Sequence, residues 1–285
     1  MSIPFPRTTV AGVSLSRMII GTNWLAGWSH TSPAADRQIE ETHHSPASIT
    51  PLLEGCLENG VDTIMGPFDR IPHIHNAVLQ TREKLGRNII MVDTPIINVD
   101  DNAAARAEAA GTIRRSRELG ATFCLLHHSA AEQLVNKNLR VISRLDDYTK
   151  MIRDEGMIPG LSAHMPEMIV YSDANGYDVE TYIQIYNCLG FMMQVEIESV
   201  AKIISKAKKP VMTIKPMAAG RCTPFVGLNF SWATIRDCDM VTVGCLRRDE
   251  ALEDIEISRA ALEHRHPNIG ARQSPNQNQA AFGNP

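Results

Sequence analysis

Residues 7–24 read RTTVAGVSLSRMIIGTNW, and this stretch decides between the two architectures open to an alternating α/β chain. MIIGTNW at 18–24 is a short apolar run that ends in a turn. No GxGxxG follows it, although that fingerprint marks the first strand of an open, doubly wound dinucleotide-binding sheet. Just ahead, the flanks of Ala11 and Gly12 form a small antiparallel hairpin over 7–16 with a two-residue turn. Such a hairpin can plug the amino-terminal mouth of a closed barrel, whose interior is packed with side chains and needs a seal at its base.

Outward from this first strand the same unit repeats. Apolar runs bounded by turn residues occur at 18–21, 61–65, 89–92, 122–126, 158–161, 182–186, 211–214 and 240–243. Amphipathic stretches lie between them at 48–59, 72–85, 102–119, 139–155, 166–172, 196–208, 225–235 and 249–264. Several start on a capping residue such as Ser48 or Asp249, and several exit on a glycine such as Gly60, Gly86, Gly120 or Gly156. Eight strand-helix units without a long insert predict one (β/α)8 TIM barrel of the α/β class over 1–265. The segment 266–285 is rich in Asn, Gln and Pro and reads as an irregular tail, available for contact with a second copy of the chain.

Charge narrows the function. The chain has 28 basic and 32 acidic side chains, a net charge of -4, which gives no field for polyanions and argues against a nucleic-acid partner. The six cysteines lie far apart with no CxxC pair, so neither a zinc knuckle nor a disulfide framework is expected. They read as small buried hydrophobes in a reducing compartment. The amino terminus lacks an export signal and no apolar run is long enough to span a bilayer, so a cytoplasmic protein with a small-molecule substrate and no membrane partner is expected.

Several local strings resemble the aldo/keto reductase superfamily over roughly residues 7–264. RTTVAGVSLSRMIIGTNW is similar to that family's hairpin and first strand, and NGVDTIMGP (59–67) to its second. CLLHHS (124–129) resembles the fourth-strand end that bears a histidine, and GLSAHMPEMI (160–169) the fifth-strand loop. IKPMAAGR (214–221) and VTVGCLRRDEALEDI (241–255) resemble the seventh- and eighth-strand loops that hold the cofactor phosphates. The resemblance implies a tyrosine, aspartate, lysine and histidine that protonate a carbonyl as hydride arrives. Here the aspartate's place falls at Met65, the tyrosine's at Arg70 and the lysine's at Asp93 or Thr94, so only His127 remains. It further implies Ser162 and Gln184 on the nicotinamide amide, and Gly220, Arg221, Gly244, Arg247 and Arg248 on the phosphates of an NADP cofactor.

Residues just past the carboxyl ends of barrel strands face the active mouth. In order these are Asn23 and Trp24, Asp69 and Arg70, Asp93, His127 and His128, His164, Tyr186 and Asn187, Lys215 and Arg247. His127 shares the alternation phase of Phe123 and Leu125 and is the candidate acid/base; His128 is one residue out of phase. Lys215, Asp93 and Arg70 are the candidate polarising or positioning groups. No metal site is expected; a divalent metal on Asp93, His127 and His164 is an alternative that no short ligand spacing supports. The loop at 23–47 carries Trp24, Trp28 and His30 and is long enough to act as a lid; His43 and His44 read as solvent-exposed within it.

Together these features predict an enzyme acting on a small carbonyl or polyol compound, with a basic mouth suited to an anionic ligand. Loss of the tyrosine points to non-redox isomerase, lyase or aldolase chemistry. The alternative is an NAD(P)-dependent oxidoreductase with a non-standard proton donor. A second alternative is an inactive barrel that binds a nucleotide or metabolite.

Overall fold

The computed structural model describes residues 4–270. Of the tail expected at 266–285, and of contact with a second copy through it, residues 271–285 lie outside the described residues. The chain opens with β1 (Arg7–Val10) and β2 (Val13–Ser16), an antiparallel pair joined at Ala11 and Gly12. Both turn residues have positive φ, 48° and 81°, the backbone twist that a two-residue hairpin turn requires.

Eight strands then form a closed parallel barrel. They are β3 (Met18–Gly21), β4 (Thr63–Gly66), β5 (Ile90–Asp93), β6 (Phe123–Leu126), β9 (Ile158–Ala163), β10 (Tyr182–Ile185), β11 (Val211–Ile214) and β12 (Met240–Val243). They neighbour one another in that order, and β12 pairs back onto β3 through Val241 and Met18. Each of the eight expected strands is found within three residues of its expected bounds.

Alternation sorts the side chains of each strand to opposite faces. Ile19, Met65, Ile90, Val92, Phe123, Leu125, Ile183, Met212 and Met240 pack together inside the barrel, and Val10 and Leu15 of the hairpin join them from below. Each such side chain contributes about 1.5–3 kcal/mol on burial, which is why the hairpin stays docked as a stopper. The opposite phase faces the helices. Met91, Val241 and Val243 pack with α2 (Pro46–Glu58), α3 (Pro72–Leu85) and α10 (Arg248–Leu262). Cys124, Leu161, Tyr182 and Val211 pack with α4 (Ala103–Glu118), α6 (Leu145–Asp154), α7 (Glu167–Asn175) and α8 (Ile197–Lys206). The eighth-strand side is completed by α9 (Pro224–Thr234).

Three expectations need correction. The helix expected at 139–155 starts only at Leu145, because Val135–Asn136 (β7) and Val141–Ile142 (β8) pair as a short antiparallel ribbon. Asn136 Oδ1 accepts from Leu139 N at 3.0 Å in an Asx turn, and Arg140 and Arg144 take positive φ, which breaks the helix. The first loop also contains a helix, α1 (Pro33–Thr42), capped by Ser32 Oγ on Ala35 N at 3.2 Å. Ile39 is its only buried residue. His43, at its end, is buried rather than exposed, its ring nitrogen Nε2 meeting Leu246 O at 2.6 Å.

Candidate active site

At the carboxyl end of β6 the inward phase of Phe123 and Leu125 continues to His127. Its amide donates to Pro95 O at 3.1 Å. Its ring Nδ1 accepts from Ser129 N at 3.3 Å and meets Ser129 Oγ at 2.8 Å. With Nδ1 an acceptor, the neutral ring carries its proton on Nε2. Desolvation, with His128 and Arg70 nearby, pushes His127 down to about 4, so the ring is uncharged at neutral pH.

The short helical turn α5 (His128–Ala131) begins at once and rotates His128 back toward the mouth. His128 lies 4.2 Å from His127 between ring centroids and stacks on His164 at 3.9 Å and 18°. His164 itself follows β9, where Glu132 Oε1 accepts from the amides of His164 at 2.6 Å and Met165 at 2.9 Å. Desolvation and the neighbouring cations hold His164 near 3. His30, on the first loop, closes the group: its Nε2 is 3.2 Å from Asn23 Nδ2, and desolvation, then Lys215, keep it below the usual imidazole range.

Lys215 follows β11 with φ of 61° and is half-buried. Desolvation lowers it to about 8, and among the described residues no carboxylate lies within ion-pair distance of its Nζ. The next turn is equally unusual, since Ala218, Ala219 and Gly220 all have positive φ. Left-handed backbone costs a non-glycine residue roughly 1–2 kcal/mol, and such strain gathers at functional sites. Trp24 leans across from the first loop. A Cβ on Gly244 would meet its Cδ1 at 3.0 Å, and one on Gly220 its Cζ2 at 3.9 Å. Arg221 ties these pieces together, its guanidinium lying 3.9 Å over the Phe191 ring and donating to Ala218 O at 3.1 Å and His30 O at 3.3 Å.

The mouth therefore combines imidazoles held neutral, the cations of Lys215, Arg70 and Arg221, and few carboxylates. Of those, Glu132 is engaged by two amides and Asp36 by Ser29. Two clefts, about 600 Å³ beside Lys137 and Arg144 and about 510 Å³ between α2 and α10, lie apart from the histidine cluster.

Several expected site residues stand elsewhere. Asp93 falls on the outer phase of β5, opposite Val92, where its Oδ1 accepts from Phe68 N at 3.0 Å, and burial raises it to about 6. It therefore joins neither Lys215 nor a metal site with His127 and His164, and among the described residues no cluster of three or more ligands suits a metal ion. Gln184 shares the outer face of Tyr182 and Tyr186 and donates to His164 O at 3.3 Å and Ile185 O at 3.2 Å. Tyr186 also faces outward, onto Thr234 Oγ1 at 3.0 Å. Arg247 is exposed between Asp249 at 3.6 Å and Glu250 at 3.8 Å, and Arg248 turns away onto Glu58 at 2.8 Å. Ser162 is buried on the inward phase of β9, and Arg70 stands near enough to His127 to depress it.

His30, Ser129 and Glu132 are parts of this site that the strand-end rule does not reach. His30 comes from a loop folded back over the mouth, and the other two from the turn after β6. The signal for them was the string HHSAAE itself, a histidine-rich strand end followed by helix formers.

No protein-family model matches the sequence, and no curated protein matches it. Solved structures do match the fold. A Pseudomonas aeruginosa protein assigned as an aldo-keto reductase superposes with a TM-score of 0.66 at 14% identity, over 92% of this chain and 97% of that one. An aldo-keto reductase from Bacillus halodurans in its holo form gives 0.61 at 10% identity, over 91% and 96%. One from Klebsiella pneumoniae, solved in complex with NADPH, gives 0.58 at 13% identity, over 94% and 92%. The fold is that of the aldo-keto reductases. Among the described residues, no helix is long and apolar enough to cross a membrane.

Proposed function

We propose that the protein reduces the carbonyl group of a small anionic compound with a nicotinamide dinucleotide, and that Lys215 takes the place of the tyrosine as proton donor. The observation that carries this reading is the unpaired Lys215 ammonium, brought to about 8 by desolvation, among imidazoles kept neutral. A group with its pKa near the working pH is the efficient acid. The similarity to aldo-keto reductase structures, one of them solved with NADPH, supports the redox class.

The residues fit the diphosphate of such a cofactor. Among the described residues the amides of Gly220 and Gly244 have no acceptor, and Trp24 packs against both glycines, closely at Gly244. Gly220, Gly244 and Arg221 would hold the diphosphate and Ser162 the nicotinamide amide. The extra phosphate of NADP is less well served, since Arg247 and Arg248 both meet carboxylates. When bound, the cofactor supplies the hydride. The protein's own work is then to bind the substrate anion at Arg70, to orient the carbonyl by the His127 Nε2 proton, and to hold the transferable proton on Lys215 Nζ. Trp24 and the first loop exclude water.

A second reading, non-redox acid/base chemistry, is favoured by the missing tyrosine and aspartate and by the same near-neutral Lys215. Titration with NADH and NADPH, followed by cofactor fluorescence, separates the two. Binding that is weakened in Gly244→Val, with turnover lost in Lys215→Met, supports reduction. No binding at millimolar cofactor overturns it and leaves the non-redox reading.

A further inference from the structure

Two thiols that this chemistry does not use stand together beside the mouth. Cys188 lies in the loop after β10, and Cys222 ends the strained loop after β11, two residues past Gly220. Their Sγ atoms are 3.8 Å apart, and both residues are free and half-buried. Cys56, Cys124 and Cys245 are buried in the core, and Cys238 faces Asp239 at 3.7 Å instead.

The two loops are held in place around the pair. Asn187 Oδ1 accepts from Leu189 N at 3.2 Å and Phe191 N at 2.9 Å, and its Nδ2 donates to Phe191 O at 3.0 Å, which fixes the first loop. Arg221, next to Cys222, stacks on that same Phe191. Gly227 makes room for the second thiol, since a Cβ there would come within 3.2 Å of Cys222 Sγ. The sulfurs need close only the last stretch to bonding distance, with their loops already aligned.

We propose that Cys188 and Cys222 form a reversible disulfide site, oxidised by a peroxide, that staples the loop after β10 to the loop carrying Lys215 and Gly220. In the first step the Cys188 thiolate attacks a peroxide oxygen and the O–O bond breaks. A sulfenic acid forms, and the released hydroxide takes up a proton as water. In the second, the Cys222 thiolate attacks that sulfur, the S–S bond forms, the S–O bond breaks and a second water leaves. Two thiols lose two electrons in total and the peroxide is reduced to two waters. Burial and the adjacent Cys188 push the Cys222 thiol up to about 11, and the same two steps run with the thiols exchanged. In a reducing compartment a disulfide of this kind is transient and regulatory.

The test treats the full chain with a small excess of hydrogen peroxide, blocks remaining thiols, and measures intact mass and peptides without reduction. The expected result is a loss of about 2 Da before blocking and two fewer blocking groups after it, both reversed by dithiothreitol, with the 188 and 222 peptides cross-linked. Cys188→Ser and Cys222→Ser should each abolish the cross-link. Oxygen addition without mass loss, a cross-link through other cysteines, or one that persists in either variant overturns the proposal. If a serine variant does not fold, peptide mapping of the unaltered chain decides the matter alone.

Discussion

Replacing Lys215 by methionine should stabilise the protein while disabling its mouth. In the folded chain desolvation lowers this lysine from 10.5 to about 8. At 1.36 kcal/mol per pH unit the difference corresponds to about 3 kcal/mol of cost for keeping the ammonium buried at neutral pH. Between pH 8 and 10.5 the unfolded chain binds more protons at this position than the folded chain does. Stability from this group therefore rises across that window as the pH rises. Methionine keeps most of the side-chain volume and has no charge to bury. The variant should then be more stable than the parent at pH 7, by up to about 3 kcal/mol, and the gap should close toward pH 10. Urea unfolding at pH 7, 8, 9 and 10 measures it. A variant less stable than the parent at pH 7, or a gap that does not change with pH, would refute the reasoning that desolvation rather than pairing sets this lysine.

Other outcomes follow from the same geometry. The folded values of His127 and His164, near 4 and 3, lie below the ordinary 6.5, so the folded state loses stability as pH falls through 6.5 toward 3; His164→Gln should move acid unfolding, followed by circular dichroism, to lower pH. Glu132→Ala removes the acceptor of two amides and should cost about 2 kcal/mol in urea unfolding, with weaker anion binding because the His164 loop is released. Asp93→Asn should leave ligand affinity unchanged in calorimetry, since that carboxyl faces Phe68 N on the helix side. In Gly244→Ala the new methyl meets Trp24, so the indole emission should shift and dinucleotide affinity should fall about tenfold, roughly 1.4 kcal/mol.

The barrel was legible because its signals are repeated. Each strand presents a short apolar run, and a single wrong boundary does not disturb the other seven. The hairpin was legible from one turn, Ala11 and Gly12, where Gly12 takes a positive φ without a Cβ to clash. What the sequence does not show is which way the last residue of each strand faces. Asp93 and Gln184 stand one residue out of phase with the interior, and a one-residue difference moves a side chain through the sheet to the helix layer. Alternation carries His127 on the phase of Phe123 and Leu125, because β6 ends one residue before it. For His128 it failed because a helical turn begins there and replaces a period of two with one of 3.6. The first loop and its His30 were legible from the loop's length, whereas helix α1 inside it has a single buried residue, Ile39, to mark it.

The hairpin stopper has a consequence for where protons come from. With Val10 and Leu15 filling the base, the vessel opens at one end only, and that end is the one a ligand occupies. A bound substrate thus corks its own supply line. A proton used inside must already be aboard when the ligand arrives, and the next must wait until the product leaves. If Lys215 is the proton donor, as proposed, its desolvation to about 8 lets it arrive charged at pH 7 and give up its proton inside the closed mouth.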